Sequence, residues 1–352
     1  MHKYVPLLLI IFLGCNERPI GDIRGELTPR VLELSTFTTF TEDKNVPLGS
    51  SANLIFGMGD GYESRALIKF QYGDTSYTGL DEIKLMMRLN DEFENDTLAF
   101  SIHILNDGFV ESEANWSRRN FNDTWQTPGG DFETDSLRAG IVEGDSIVLY
   151  FNYVELEEIL LSEGIIIITH DTGFVHFESK EGGDGPKLLL VKNDATVSVF
   201  AEADCHIVLG PEPALFDQWV GSGWAYRNFV KFNYDSLLDN TQAIYGELTF
   251  ECSEYFSVRD SIHIGVRELT EPFSTFDTPT GPLIALTKIG VGDTVATIDI
   301  VKHVQRIIEH PDSNFGIYIG LSPETYDISR VELIPGSHRL IVGYVEPPDP
   351  RW

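Results

Sequence analysis

Arg65-Ala66-Leu67-Ile68-Lys69-Phe70 and Arg227-Asn228-Phe229-Val230-Lys231-Phe232 are two versions of one strand-like hexapeptide. Other pairs recur around them in the same order. Upstream, Leu54-Ile55-Phe56-Gly57 answers to Ile207-Val208-Leu209-Gly210. Downstream, Ser101-Ile102-His103-Ile104 returns as Ser261-Ile262-His263-Ile264, and Gly144-Asp145-Ser146-Ile147 as Gly292-Asp293-Thr294-Val295. Each half closes on an apolar strand, Lys187-Leu188-Leu189-Leu190-Val191 and Arg339-Leu340-Ile341-Val342. A spacing of about 150–160 residues is too long for a solenoid repeat and suits a whole domain. The expected units are 31–193 and 194–346.

The period within each unit is that of a strand. Ile83, Leu85, Met87 and Leu89 alternate with Lys84, Met86, Arg88 and Asn90, and Phe100, Ile102 and Ile104 alternate with Ser101 and His103. Alternation sends one face to a core and the other outward. Ile165 to Ile168 is apolar on both faces, as a central strand is. Runs of this kind, punctuated by Gly, Asp and Asn, predict an all-β chain of two tandem, jelly-roll-like antiparallel sandwiches. One short helix is expected in each, over Leu156–Leu161 and over Asp299–Ile308 with Asp299 at its cap.

The ends read differently. Val5 to Leu13 is apolar but too short to span a bilayer, and it follows Lys3 and ends at Gly14-Cys15. Phe12-Leu13-Gly14-Cys15 resembles a bacterial lipobox, with Phe12 departing from its usual residue. The resemblance implies a signal peptide over 1–14, lipid on Cys15 and an outer-membrane or cell-surface location. The ordinary signal peptide with a free Cys15 is the alternative. Residues 15–30 then form a tether, and 347–352 an exposed tail.

Acidic residues outnumber basic ones 55 to 25 among 352, a formal net charge of −30 that repels polyanions and excludes nucleic acid as a partner. The stretch Asp91-Glu92-Phe93-Glu94-Asn95-Asp96 does not match a calcium loop and reads as a solvated hairpin turn, though a structural calcium at a sheet edge stays compatible with this composition. Cys205 and Cys252 both lie in strand-like stretches, so a disulfide and two buried thiols are both open.

The order Gly-rich loop, Arg-x-Leu-Ile-Lys-Phe strand, alternating strand, Trp-containing segment and Pro-x-Leu-x-Val end resembles the DNRLRE family. It is carried by Asn115-Trp116, Trp125-Gln126-Thr127-Pro128-Gly129-Gly130-Asp131-Phe132 and Gly185-Pro186-Lys187-Leu188. In the second half it rests on Asp299-Ile300-Val301, Val304-Gln305 and Asn314-Phe315-Gly316-Ile317. The resemblance implies a sandwich displayed outside the cell and, in some members, carbohydrate binding. The second half departs from it, with Glu271-Pro272-Phe273-Ser274-Thr275-Phe276 where the tryptophan segment would stand.

Trp116 and Trp125 could stack on sugar rings, with Asp131 beside them for hydroxyls; the alternative is that both plug the end of the sandwich. Residues 211–226 read as a longer aromatic loop with Phe216, Trp219, Trp224 and Tyr226, answered in the first half by a shorter one with Tyr62. Exposed together, these side chains would favour a ligand or partner. Buried between the units, they would favour a spacer. His103 and His263 are expected at equivalent solvent-facing positions, and His170, Asp171 and His176 lack a recognised metal spacing. No nucleophile elbow, zinc-protease helix, phosphate loop or dinucleotide fingerprint is present, so nothing requires an enzyme, although a convergent carboxylate pair for hydrolysis stays open. The expected function is non-catalytic polysaccharide binding by a membrane-tethered protein. The alternative is a structural or adhesive spacer that docks protein partners.

Overall fold

The computed structural model describes residues 29–346, apart from 35, 72–78, 92, 94 and 238–240. The signal peptide, Cys15, the tether before residue 29 and the tail 347–352 lie outside the described residues. The chain opens with β1 (Arg30–Leu34) and β2 (Thr36–Asn45). A first series follows: β3 (Asn53–Gly59), β4 (Tyr62–Phe70), β5 (Glu82–Arg88), β6 (Ala99–Ile104), β7 (Arg138–Ile141), β8 (Ser146–Tyr150), α1 (Tyr153–Leu161), β9 (Ile165–Ile168), β10 (Gly173–Glu178) and β11 (Lys187–Lys192). After β12 (Ala195–Leu209) the series runs again: β13 (Gln218–Ser222), β14 (Trp224–Phe232), β15 (Gln242–Ser257), β16 (Ser261–Leu269), β17 (Thr280–Gly290), β18 (Val295–Asp299), α2 (Val301–Glu309), β19 (Ile317–Leu321), β20 (Ser329–Leu333) and β21 (Arg339–Val345).

The two series pair alike, and every pairing is antiparallel. β4 lies beside β9 and β6 beside both β9 and β7, as β14 lies beside β19 and β16 beside both β19 and β17. β5 joins β8 and β11, as β15 joins β18 and β21. Each unit is thus a sandwich of two antiparallel sheets with one short helix, as the alternation predicts. Ile83, Leu85 and Met87 fill the first core with Phe56, Ile102 and Phe177, and α1 adds Leu156, Ile159 and Leu160. Phe250, Ile264, Ile319 and Val331 fill the second, with Val304 and Ile308 of α2. α1 starts with a reciprocal capping box between Asn152 and Glu155. α2 starts at Val301 with Ile300 as its cap residue, so Asp299 is not the cap; it ends β18, and its Oδ1 accepts from Val301 N at 2.9 Å.

The domain boundaries differ from 31–193 and 194–346, because the leading strand of each half is built into the other half. β12 enters the first sandwich, where 195–200 pair with β11 and 201–209 with β4. Its counterpart is β1 plus β2, which enter the second sandwich, β1 against β21 and β2 against β14. The bulge at Ala201–Ala203 is answered in the other leading segment by a register shift of β2 against β14, where Lys231 faces Thr38 and Phe232 faces Thr36. This also corrects one sequence match. Ile207-Val208-Leu209 belongs to β12, and the counterpart of β3 in the second series is β13, since β3 pairs with β4 and β10 as β13 does with β14 and β20. Residues 211–226 are therefore a loop only to 217, followed by a hairpin.

An apolar seam joins the units. Leu48, Ile55, Tyr62, Phe174 and Val208 meet Trp219, Tyr226 and Ile328. Phe256 stacks on Tyr62 with ring centres 5.3 Å apart. A Cβ on Gly221 would come within 2.4 Å of the Tyr226 ring, so only glycine fits there. Burial holds two imidazoles of the first sandwich neutral, pushing His176 on β10 and His206 on β12 down from 6.5 to about 3.

Two predictions follow from this architecture. A chain beginning at residue 46 lacks the strands that complete β14 and β21, so its second sandwich should melt well below that of the whole chain, and a peptide of residues 29–45 added in trans should raise it again. An unchanged melting profile would show the exchange to be dispensable. For the histidines, the unfolded imidazole takes its proton near 6.5 and the folded one only near 3, so this contribution is complete above pH 6.5 and lost as pH falls. His206→Gln should lessen the loss of stability on acidification below 6.5, by about 1.4 kcal/mol per pH unit, in denaturant titrations across that range.

Candidate functional site

The outward face of the second sandwich carries an aromatic groove. On β14, Phe229 lies opposite Phe40 of β2 and Tyr318 of β19, while the next residue, Val230, points into the core. Phe229, Leu269 and Tyr318 form a small cluster, with Phe40, Phe273 and Phe315 half-buried against it. Phe273 stands at 4.7 Å from Phe40 and 4.4 Å from Phe229, ring centre to ring centre. Phe40, Phe229, Phe273 and Phe315 line a cavity of about 810 Å³ on this face. Polar groups stand round it: Lys231, Asn233 and Asp235 at the end of β14, and Asp312 and Asn314 after α2. Lys231 makes no ion pair among the described residues. Asn314 Nδ2 donates to Phe232 O at 3.0 Å, and its Oδ1 is buried without a partner among the described residues.

The first sandwich shows why this face is open. There Leu67 lies opposite Cys205 and Ile166, the positions of Phe229, Phe40 and Tyr318. Leu105 N donates to Gly164 O at 2.9 Å, as Leu269 N does to Gly316 O at 3.0 Å. That face is roofed by Phe109, Ala114, Trp116 and Trp125, from residues 105–137 between β6 and β7. The corresponding connection between β16 and β17 is only 270–279, too short to make a roof. Equivalent arginines hold both connections. Arg65 lies over Trp116 at 4.7 Å and donates to Gly129 O at 2.8 Å. Arg227 lies over Phe276 at 4.0 Å, donates to Phe276 O at 3.0 Å and forks onto Glu324 at 2.7 and 2.8 Å.

The residues expected to contact ligand are mostly inside. Trp116 is 6% and Trp125 3% exposed, and the Trp125 indole donates to Asn115 O at 2.9 Å. Asp131 is spent on its own loop, accepting from Gln126 N at 2.6 Å and Thr127 N at 2.8 Å. No face of either ring is left for a sugar, so the plug alternative describes this pair. Tyr62, Trp219 and Tyr226 are buried in the seam between the units, and half-buried Trp224 donates to Asp43 Oδ2 at 2.8 Å. Among the aromatic residues of 211–226 only Phe216, 79% exposed, stands in solvent. Cys205 and Cys252 are free thiols buried in different clusters, so the pair forms no disulfide.

The histidines move too. His103 is buried, bonded to Ser101 Oγ and Glu133 O at 2.8 Å each, and faces Ile166. The residue facing the equivalent Tyr318 is Arg267, so His263, which is exposed, is not its structural counterpart. His176 is buried against Phe93 at 4.1 Å, away from exposed His170, and Asp171 accepts from Ala99 N at 2.7 Å. Asn95 and Asp96, read as a solvated turn, accept from His176 N at 2.6 Å and Phe174 N at 2.9 Å, while Glu92 and Glu94 lie outside the described residues.

Sequence reasoning missed Phe40 and Tyr234, which also lines the groove, and took Phe229 as a repeat marker, Phe315 as part of the family resemblance and Phe273 as part of the departure from it. A signal was available. Phe229 replaces the Leu67 of the other copy on the same strand face, and the tryptophans that would cover it are missing downstream.

No protein-family model matches the chain, and no curated protein matches it in sequence. Among solved structures it is similar to a Parabacteroides distasonis protein, at 9% identity and a TM-score of 0.24 over 90% of this chain and 89% of that one. It is also similar to a tandem CBM22 domain from Paenibacillus barcinonensis, at 11% identity and a TM-score of 0.19 over 83% of this chain and 98% of that one. Likenesses this slight carry no argument about function. The burial of the tryptophans does make a prediction: Trp125→Ala should lower stability by about 3–5 kcal/mol in denaturant unfolding, as removal of a packed indole does. A change below about 1 kcal/mol would mean the indole is not part of the core.

Proposed function

We propose that this chain is a non-catalytic polysaccharide-binding protein, tethered at the cell surface through Cys15, that holds its ligand in the groove of the second sandwich. One observation carries the reading: the face that Trp116 and Trp125 roof in one copy is left open in the other, over half-buried Phe40, Phe273 and Phe315. Flat apolar faces beside converging donors and acceptors suit a pyranose, whose C–H face packs on a ring while its hydroxyls take hydrogen bonds. Lys231, Asn233, Asp235, Asp312 and Asn314 supply those bonds. Among the described residues the groove lining holds no histidine, cysteine or serine, and its two carboxylates, Asp235 and Asp312, are both exposed. This equips it to bind more than to transform. A neutral glycan is the better ligand, since a net charge of −30 opposes an acidic chain at low salt.

The second reading, a rigid spacer or docking unit, has the seam in its favour, because Tyr62, Trp219 and Tyr226 are buried between the units. Affinity electrophoresis separates the two readings. Through gels containing neutral plant or marine polysaccharides the protein should be retarded, and Phe273→Ala should weaken retention about tenfold without moving the melting temperature by more than a few degrees. Absence of retardation across a broad panel, with and without calcium, would leave the spacer reading.

A further inference from the structure

Far from the groove, Glu111, Glu181 and Asp204 come together, with one side-chain oxygen of each lying within 4.8 Å of the others. They arrive from three directions. Glu111 belongs to the connection that roofs the first sandwich, Glu181 to the turn after β10, and Asp204 to β12, the strand contributed by the other half. The turn is pinned by its backbone: Ser179 N donates to Ala52 O at 3.1 Å, Gly182 N to Ser179 O at 3.0 Å and Lys180 N to Asp204 Oδ2 at 2.9 Å.

Asp204 is only 1% exposed, and its Oδ1 is buried with no hydrogen-bond partner among the described residues. A buried carboxylate oxygen without a donor is costly, and native folds rarely keep one without a cation, a water or a function. Among the described residues the one positive group at hand is the Lys180 ammonium, which touches Glu111 Oε2 and lies 3.0 Å from Glu202 O and 3.8 Å from Glu181 Oε1.

We propose that Glu111, Glu181 and Asp204, with the Glu202 carbonyl, form a binding site for a calcium-like divalent cation that takes the place of the Lys180 ammonium. The donor set is all oxygen, which suits a hard cation and not the nitrogen- and sulfur-seeking metals. Oxygens up to 4.8 Å apart can share an ion whose bonds are about 2.3–2.6 Å long, and calcium tolerates the irregular geometry that separate loops impose. Three carboxylates against one ammonium leave an excess negative charge that a doubly charged ion balances better. Lys180, with about a third of its side chain exposed, has solvent to swing into. The ion would clamp the roof of the first sandwich to the exchanged strand.

The test uses the full chain, stripped with chelator and then titrated with calcium chloride by calorimetry and thermal unfolding. Saturating calcium should raise the melting temperature by about 5 °C, which sodium chloride at equal ionic strength should not do. Asp204→Asn, nearly isosteric, should bind calcium at least tenfold more weakly, and Lys180→Met should bind it more tightly, its competitor gone. Should Asp204→Asn not fold, Glu181→Gln at the exposed turn is expected to weaken binding several-fold. Neither heat nor a thermal shift with calcium, or variants that bind as the unaltered chain does, would overturn the site.

Discussion

The main-chain hydrogen bonds between β12 and β4, and between β2 and β14, are the constraint on which the rest of the molecule depends. β4 and β14 stand at the middle of their sheets, with β9 or β19 on one side. On the other side each needs a partner along most of its length, because an unpaired row of buried amides and carbonyls is too costly to keep. That partner comes from the opposite half in both cases. Neither sandwich is complete without the other, and the two are held in one relation before any side chain is counted.

The aromatic seam follows from this exchange. With β12 and β2 crossing between the units, the hairpins β3–β4 and β13–β14 are brought face to face, and the rings at their turns have nowhere to go but inward. Tyr62, Trp219 and Tyr226 become a shared core instead of a display. The same crossing sets Asp204 beside the turn that carries Lys180, two groups that a simple tandem of closed domains would have kept in separate units.

Duplication also makes the two outward faces comparable position by position, and their divergence is a matter of coverage. Leu67 and Phe229 occupy one site in two copies of the same strand. Where the connection after the sixth strand is long, its tryptophans fold back and an arginine holds them down. Where it is short, the arginine holds Phe276 instead, and the half-buried rings of Phe40, Phe273 and Phe315 stay in contact with solvent. One scaffold thereby presents a sealed face and an open one.

Much of the architecture was legible in residue order. Alternation along 83–89 and 100–104 identified sheets with one buried side, and the repeat from Arg65 to Arg227 announced two like units, because strand period and duplication are local properties of a chain. Local properties do not say which strand lies beside which. That β12 pairs with β4, and that Trp125 faces a sheet while Phe273 faces a groove, depend on contacts between residues far apart in sequence. A tryptophan next to two glycines looks the same whether it is a platform or a plug. Only the tertiary structure decides, since burial is set by what else reaches the same surface, and here the length of one connection determined which face was covered.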